Sequence, residues 1–160
     1  MDNQKGSKPT EDGTINVRGQ RPRIDFMILA DRAEVANGKL FLMGGVFDQF
    51  LVAAFPAQLT FGLALAIEVP WNATNEPIHV RVAFQTVDGG ELAAIEWPLT
   101  VGRPPSLKPG DAQRIPFAIP ALNLAVAQDG AYVVVATLDG IEGARIQFRV
   151  NQIGPLGPIG

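Results

Sequence analysis

Apolar side chains alternate with small or polar ones through most of residues 23–152, and a period of two is the mark of a strand with one buried face. Ile24, Phe26, Ile28 and Ala30 alternate with Asp25, Met27 and Leu29. Leu59, Phe61, Leu63, Leu65, Ile67 and Val69 form one face of a long strand, with Thr60, Gly62, Ala64, Ala66 and Glu68 on the other. Ile78, Val80, Val82 and Phe84 alternate with His79, Arg81, Ala83 and Gln85, and Ile95, Trp97 and Leu99 share a face within residues 92–101. Phe117, Ile119, Leu122, Leu124 and Val126 follow, with Pro116 and Pro120 marking an edge strand or a break. Residues 132–138 and 144–150 complete the set. No 3.6-residue apolar pattern runs long enough for a helix of three turns.

Turn chemistry divides these strands. Asn37-Gly38 supplies the two positive φ angles of a type I′ hairpin turn. That turn fixes a register in which Ala30 opposes Gly45 and Asp31 opposes Gly44, and the Gly44-Gly45 pair predicts a bend or a close backbone approach. Asp88-Gly89-Gly90 is a second turn, and the proline-rich residues 102–110 form a loop. Near the end, Asp129-Gly130-Ala131-Tyr132 forms a corner between two strands. A tyrosine there can brace an immunoglobulin-type corner by donating its hydroxyl to upstream backbone. About eight strands with regular turns predict an all-β, immunoglobulin-like antiparallel β-sandwich over residues 23–152. Residues 1–22 and 153–160 read as disordered tails, too poor in large apolar side chains to offset their ordering entropy.

Charge divides the chain at the same boundary. Residues 1–23 carry five basic against three acidic side chains, whereas the remainder carries eight against thirteen. An acidic body argues against a nucleic-acid surface, which needs clustered Lys and Arg. The chain has no cysteine, so disulfides and thiolate metal sites are impossible. Neither an apolar leader nor a bilayer-length apolar run is visible, so a cytoplasmic location without membrane contact is expected.

The inventory for catalysis is thin. Ser7 and Ser106 lie in no nucleophile elbow, and His79, the single histidine, sits on the polar face of its strand. No metal-ligand spacing accompanies it, and no cofactor motif is present. A carboxylate-dependent hydrolase would draw on Asp31 and Asp48, which predicts both in one cleft. Trp71, with Asn72 and Asn75, occupies a loop where an indole could stack on a sugar or other small ligand, or cap the core. Trp97 reads as core. Both faces of residues 40–47 and 61–67 are apolar, which predicts shielding by loops or by another subunit.

The segment Ala30-Asp-Arg-Ala-Glu-Val-Ala-Asn-Gly-Lys-Leu-Phe-Leu-Met-Gly-Gly-Val-Phe-Asp48, with Gly130-Ala-Tyr132 and Phe148-Arg-Val150, resembles a family of small bacterial proteins classed only as a domain of unknown function. The resemblance covers about residues 23–151 and implies a bacterial sandwich, with Tyr132, Asn37, Gly38, Gly44 and Gly45 in structural roles. It implies no activity. The expectation is a non-enzymatic module that binds a protein partner or itself, with ligand binding at Trp71 as the alternative and hydrolysis as the least favoured.

Overall fold

The computed structural model describes residues 21–154, so the two expected tails lie almost wholly outside the described residues. These residues form nine strands: β1 (Arg23–Ala36), β2 (Lys39–Gly45), β3 (Gln49–Val52), β4 (Ala57–Pro70), β5 (Pro77–Thr86), β6 (Glu91–Thr100), β7 (Ala112–Val126), β8 (Gly130–Leu138) and β9 (Ile141–Gln152). One sheet has the order β2-β1-β4-β7 and the other β3-β9-β8-β5-β6. The sandwich expected from the sequence is thus present, with a single turn of 3-10 helix at Trp71–Ala73.

The alternation dictates the layers. The odd-numbered residues of β4 from Leu59 to Val69 face the second sheet, where Ile78, Val80, Val82, Val134 and Phe148 meet them, all buried. Phe61 is the hub of an aromatic group, 5.3 Å from Phe50, 5.9 Å from Phe84 and 6.2 Å from Phe148 between ring centroids. Burying one such ring contributes about 1.5–3 kcal/mol. The outer face of β4 is built from Gly62, Ala64 and Ala66, all buried. Gly62 has a specific reason to lack a side chain: a Cβ there would lie 2.8 Å from the Ala33 backbone nitrogen. The ladder between β4 and β7 shifts register at this point, between Phe61 and Leu63.

The Asn37-Gly38 turn has φ values of 50° and 69°, as a type I′ turn requires, and β1 pairs with β2 in the expected register, Ala30 opposite Gly45. Gly44 takes φ +60°, and a Cβ added there would collide with the Asp31 carboxylate. The Tyr132 hydroxyl donates to the Gln128 carbonyl at 2.5 Å, and its ring stacks on Phe148 at 5.7 Å. This bond ties the corner between β7 and β8.

The sequence reading expects about eight strands, and β3 is the ninth. It pairs with β9 in parallel, Gln49 opposite Arg149. Four residues carry too little periodicity to be recognised, and the partner lies about a hundred residues away. Pro116 and Pro120 do not break β7, which runs unbroken as the edge of its sheet. An edge strand tolerates proline because the missing N–H faces away from the ladder.

Candidate interaction surface

Each sheet ends in two edge strands, β2 and β7 in the first and β3 and β6 in the second. Unpaired backbone groups along an edge recruit other strands unless something prevents it. β7 carries Pro116 and Pro120, β6 carries Pro98 among Glu91 and Glu96, and β3 has only four residues. β2 has none of these protections. Lys39 is its only charge, and residues 40–47 contain neither a charge nor a proline. Phe41 is 55% exposed, Met43 67% and Val46, just past the strand, 84%. By alternation Phe41 and Met43 stand on the outer face, beside Glu34 and Arg32 of β1.

Val46 adds strain to this edge. Its φ is 65°, although its amide still donates to the Leu29 carbonyl at 3.0 Å. A β-branched residue in the left-handed region is a genuine outlier and costs about 1–2 kcal/mol. Nothing in local packing of this exposed side chain offsets that cost, which makes the position a pointer to function.

The Trp71 loop is built differently. The Arg103 guanidinium lies 3.8 Å above the indole ring and donates to the Trp71 carbonyl at 3.1 Å and to Thr74 Oγ1 at 2.7 Å. Asn75 has φ 65° and donates its amide to the Val101 carbonyl, and the Asn72 and Asn75 side chains are exposed. One face of the ring is therefore occupied from within the chain. Asp31 and Asp48 are both exposed, on β1 and in the turn before β3, and line neither concavity described below. His79, Arg81, Glu91 and Glu96 form an ion-pair row on the outer face of the second sheet, with His79 Nε2 3.2 Å from Glu96. Bonding from Arg81 holds the Glu96 carboxyl below the usual carboxylate range, against some desolvation, and His79 adds to the effect. Among the described residues no three His, Asp or Glu side chains come together as a metal ion would need.

Concavities interrupt the surface formed by the described residues. One, of about 500 Å³, lies between the start of β1 and the β8–β9 hairpin and is walled by Arg21, Arg23, Asp139 and Glu142 among others. Another, of about 240 Å³, opens between β6 and β7 and is lined by Leu63, Leu65, Ile95, Trp97, Phe117 and Ile119. Trp97 is half-buried there, 5.6 Å from Phe117, rather than sealed in the core. Its Nε1–H is buried and has no acceptor. Leaving such a donor unsatisfied costs about 1–3 kcal/mol. Sequence reasoning missed this cleft because alternation assigns a face, not how tightly two sheets close at their edge. For β2 the apolar character of both faces of residues 40–47 was legible, whereas its place at a free sheet edge was not.

Among solved structures, the chain is similar to the Pseudomonas fluorescens alkylpurine DNA glycosylase AlkC bound to DNA containing an abasic site analog, with 14% identity and a TM-score of 0.40. The match covers 84% of this chain and 32% of the glycosylase, so the chain spans about a third of that protein's length. A CARDB domain from Pyrococcus furiosus, in complex with di-metal ions, matches at 15% identity and a TM-score of 0.37, over 96% of this chain and all of that one. No curated protein matches the chain. The sequence model of a family of unknown function, DUF6941, matches residues 25–151, from the first strand through the last, and the chain belongs to that family.

Proposed function

We propose that this domain is a non-enzymatic, cytoplasmic interaction module that associates with a second copy of itself through β2. The observation that carries this reading is the contrast among the four edges, of which β2 is apolar, exposed and free of proline. An antiparallel pairing about a two-fold axis at Leu42 sets Phe41 of one copy opposite Met43 of the other. Within each sheet Phe41 pairs with Glu34 and Met43 with Arg32. The outer row across the junction therefore reads Glu34, Phe41, Met43, Arg32, with the acid from one copy and the base from the other. No like charges face each other, and the contact is self-complementary, as a two-fold interface requires. The two four-stranded sheets become one of eight strands. The non-enzymatic part of the reading is supported by the exposed, scattered positions of Asp31, Asp48 and His79.

Light scattering coupled to size exclusion tests the reading on the full chain, from low micromolar to hundreds of micromolar. The expected mass at the upper end is twice 17.1 kDa. A monomer throughout the range overturns it.

A further inference from the structure

β1 and β9 are each covered by a further strand along only part of one side. β2 pairs with β1 from Ala30 to Ala36, and β3 pairs with β9 from Arg149 to Gln152. Residues 23–28 of β1 and 141–148 of β9 have no strand on that side among the described residues. The backbone makes this gap. Gly44 at φ 60° and Val46 at φ 65° turn the chain out of the ladder, and it crosses to the other sheet as β3 instead of running on beside β1. The strained Val46 thus stands at the corner that leaves the gap. The core is incompletely covered there. Ile141 pairs with the buried Leu138 and so shares its inner face, yet it is 59% exposed. Met27, Ala144 and Ile146 pack on the core and stay only half-buried. Ile24, Leu138 and Ile141 wall the concavity of about 500 Å³ at the foot of the gap. We propose that residues 14–18, Thr-Ile-Asn-Val-Arg, dock antiparallel on residues 23–28 as an added strand that covers Ile24 and Ile141. Such a strand lies in line with β2 and leaves the free side of β2 open.

Pattern, attachment and register select this occupant. Ile15 and Val17 are the only large apolar side chains between Met1 and Arg21, and they stand two apart, as one face of a strand requires. Both are β-branched, which suits a pleated, half-buried position. Arg21 and Pro22 line the concavity, so residues 19–22 alone join the segment to the gap. A tether this short holds it there at a high effective concentration, which a strand from another protein lacks. Pro22 cannot take the positive φ of a two-residue hairpin turn, so the turn is the four residues 19–22, Gly19 among them. Arg18 then falls opposite Arg23, and Val17 opposite Ile24. The β1 ladder shifts register between Ile24 and Phe26. Carried to the added strand, this bulge sets Asn16 against Asp25 and Phe26 together and Ile15 against Met27. Ile24 and Met27 pair with Ile67 and Leu65, both buried, so Val17 and Ile15 land on the inner face. The cost is Arg18 beside Arg23, where Asp25 and Glu68 supply carboxylates.

The chain has no cysteine, so an introduced pair reports the register without interference. In this register Thr14 falls opposite Ile28. Thr14→Cys/Ile28→Cys in the full chain is expected to form a disulfide within one chain about tenfold faster than the misaligned Thr10→Cys/Ile28→Cys. Adding Ile15→Asp/Val17→Asp is expected to abolish that advantage without unfolding the sandwich, since neither residue belongs to its strands. Amide exchange on the cysteine-free chain is the second measurement. Alternate amides of residues 14–18 are expected to exchange about tenfold slower than in Ile15→Asp/Val17→Asp. Ile141→Asp spoils the receiving surface instead of the segment, at an already exposed position, and is expected to remove the same protection. Equal disulfide rates for the two pairs, unprotected amides, or protection that survives Ile141→Asp overturns the proposal. So does a disulfide that joins two chains on a non-reducing gel, which assigns the gap to the segment of a second copy.

Discussion

β2 and β7 bound the same sheet and solve the same problem in opposite ways. β7 is fifteen residues long, yet Pro116 and Pro120 remove donors from its free side, and the exposed Arg114 and half-buried Gln113 add polarity. β2 is seven residues long and presents Leu40, Phe41, Leu42 and Met43 without a proline. Edge protection is common in sandwiches because an open ladder invites unwanted pairing. Its absence at one edge out of four, on the strand that also leads into the strained Val46, is therefore informative. The difference teaches that apolar content alone does not mark an interaction surface. Both edges are apolar, and it is the removal or retention of backbone donors that separates them.

The comparison can be broken most sharply at β2 itself. Phe41→Lys/Met43→Lys places charge on the open edge, and association should weaken by about 30-fold or more, the 2 kcal/mol of a hot-spot contact. Folding stability should change by about 0.5 kcal/mol or less, because both side chains are exposed in the single chain. Light scattering and urea denaturation read the two quantities separately. Retained association would move the contact elsewhere.

Gly62→Ala tests how the open hairpin is held to the rest of its sheet. The new Cβ meets the Ala33 nitrogen and the Arg32 carbonyl carbon, which are backbone and cannot step aside. A loss of about 1–3 kcal/mol is expected from overpacking, visible as a lower urea midpoint. A wild-type midpoint would mean that β1 shifts freely against β4.

On the closed side, Tyr132→Phe removes the bond to the Gln128 carbonyl while keeping the ring on Phe148. It should lower stability by about 0.5–1.5 kcal/mol and leave association unchanged. Val46→Gly acts in the opposite sense. Glycine accepts a φ of 65° without strain but loses more entropy on folding, so the net gain in stability should be about 0.5–1 kcal/mol. A loss of stability there would show that Val46 is held by contacts rather than strained.

The smallest expected effect concerns pH. Glu68, Glu96 and Glu142 are each held below the usual carboxylate range, chiefly by hydrogen bonds from Arg23, Arg81 and Arg145 respectively. A carboxyl lowered in the folded state stabilises above its unfolded pKa and loses that contribution as pH falls through the folded value. Stability should therefore hold near neutrality and decline on acidification below the ordinary carboxylate range. Glu96→Gln should flatten this acid limb slightly, since Glu96 and His79 are exposed and Arg81 is only half-buried, so the pairs are screened by solvent. Urea midpoints at neutral and acid pH give the comparison.

Much of the architecture was legible. The Asn37-Gly38 turn set the β1–β2 register because two positive φ angles admit few alternatives, and the alternation on β4 and β5 identified the residues that face the core. The Gly130-Ala-Tyr132 corner was legible for the same local reason. β3 was not, because four residues in parallel with a strand a hundred positions later leave no local trace. Trp71 looked available in sequence, and nothing near it in the chain announced that Arg103 would cover its ring. Trp97 looked like core because its neighbours Ile95 and Leu99 share its face.

The sequence by itself determined which residues form strands, where the hairpins turn and which faces are apolar, since each depends on near neighbours and their backbone preferences. It also removed disulfides and thiolate metal chemistry outright. Only the tertiary structure decided which strands lie at edges, which of those edges are left open, and that the sheets stay apart beside Trp97. These are properties of how distant segments stack, and a period of two is the same for a strand in the middle of a sheet as for one at its rim.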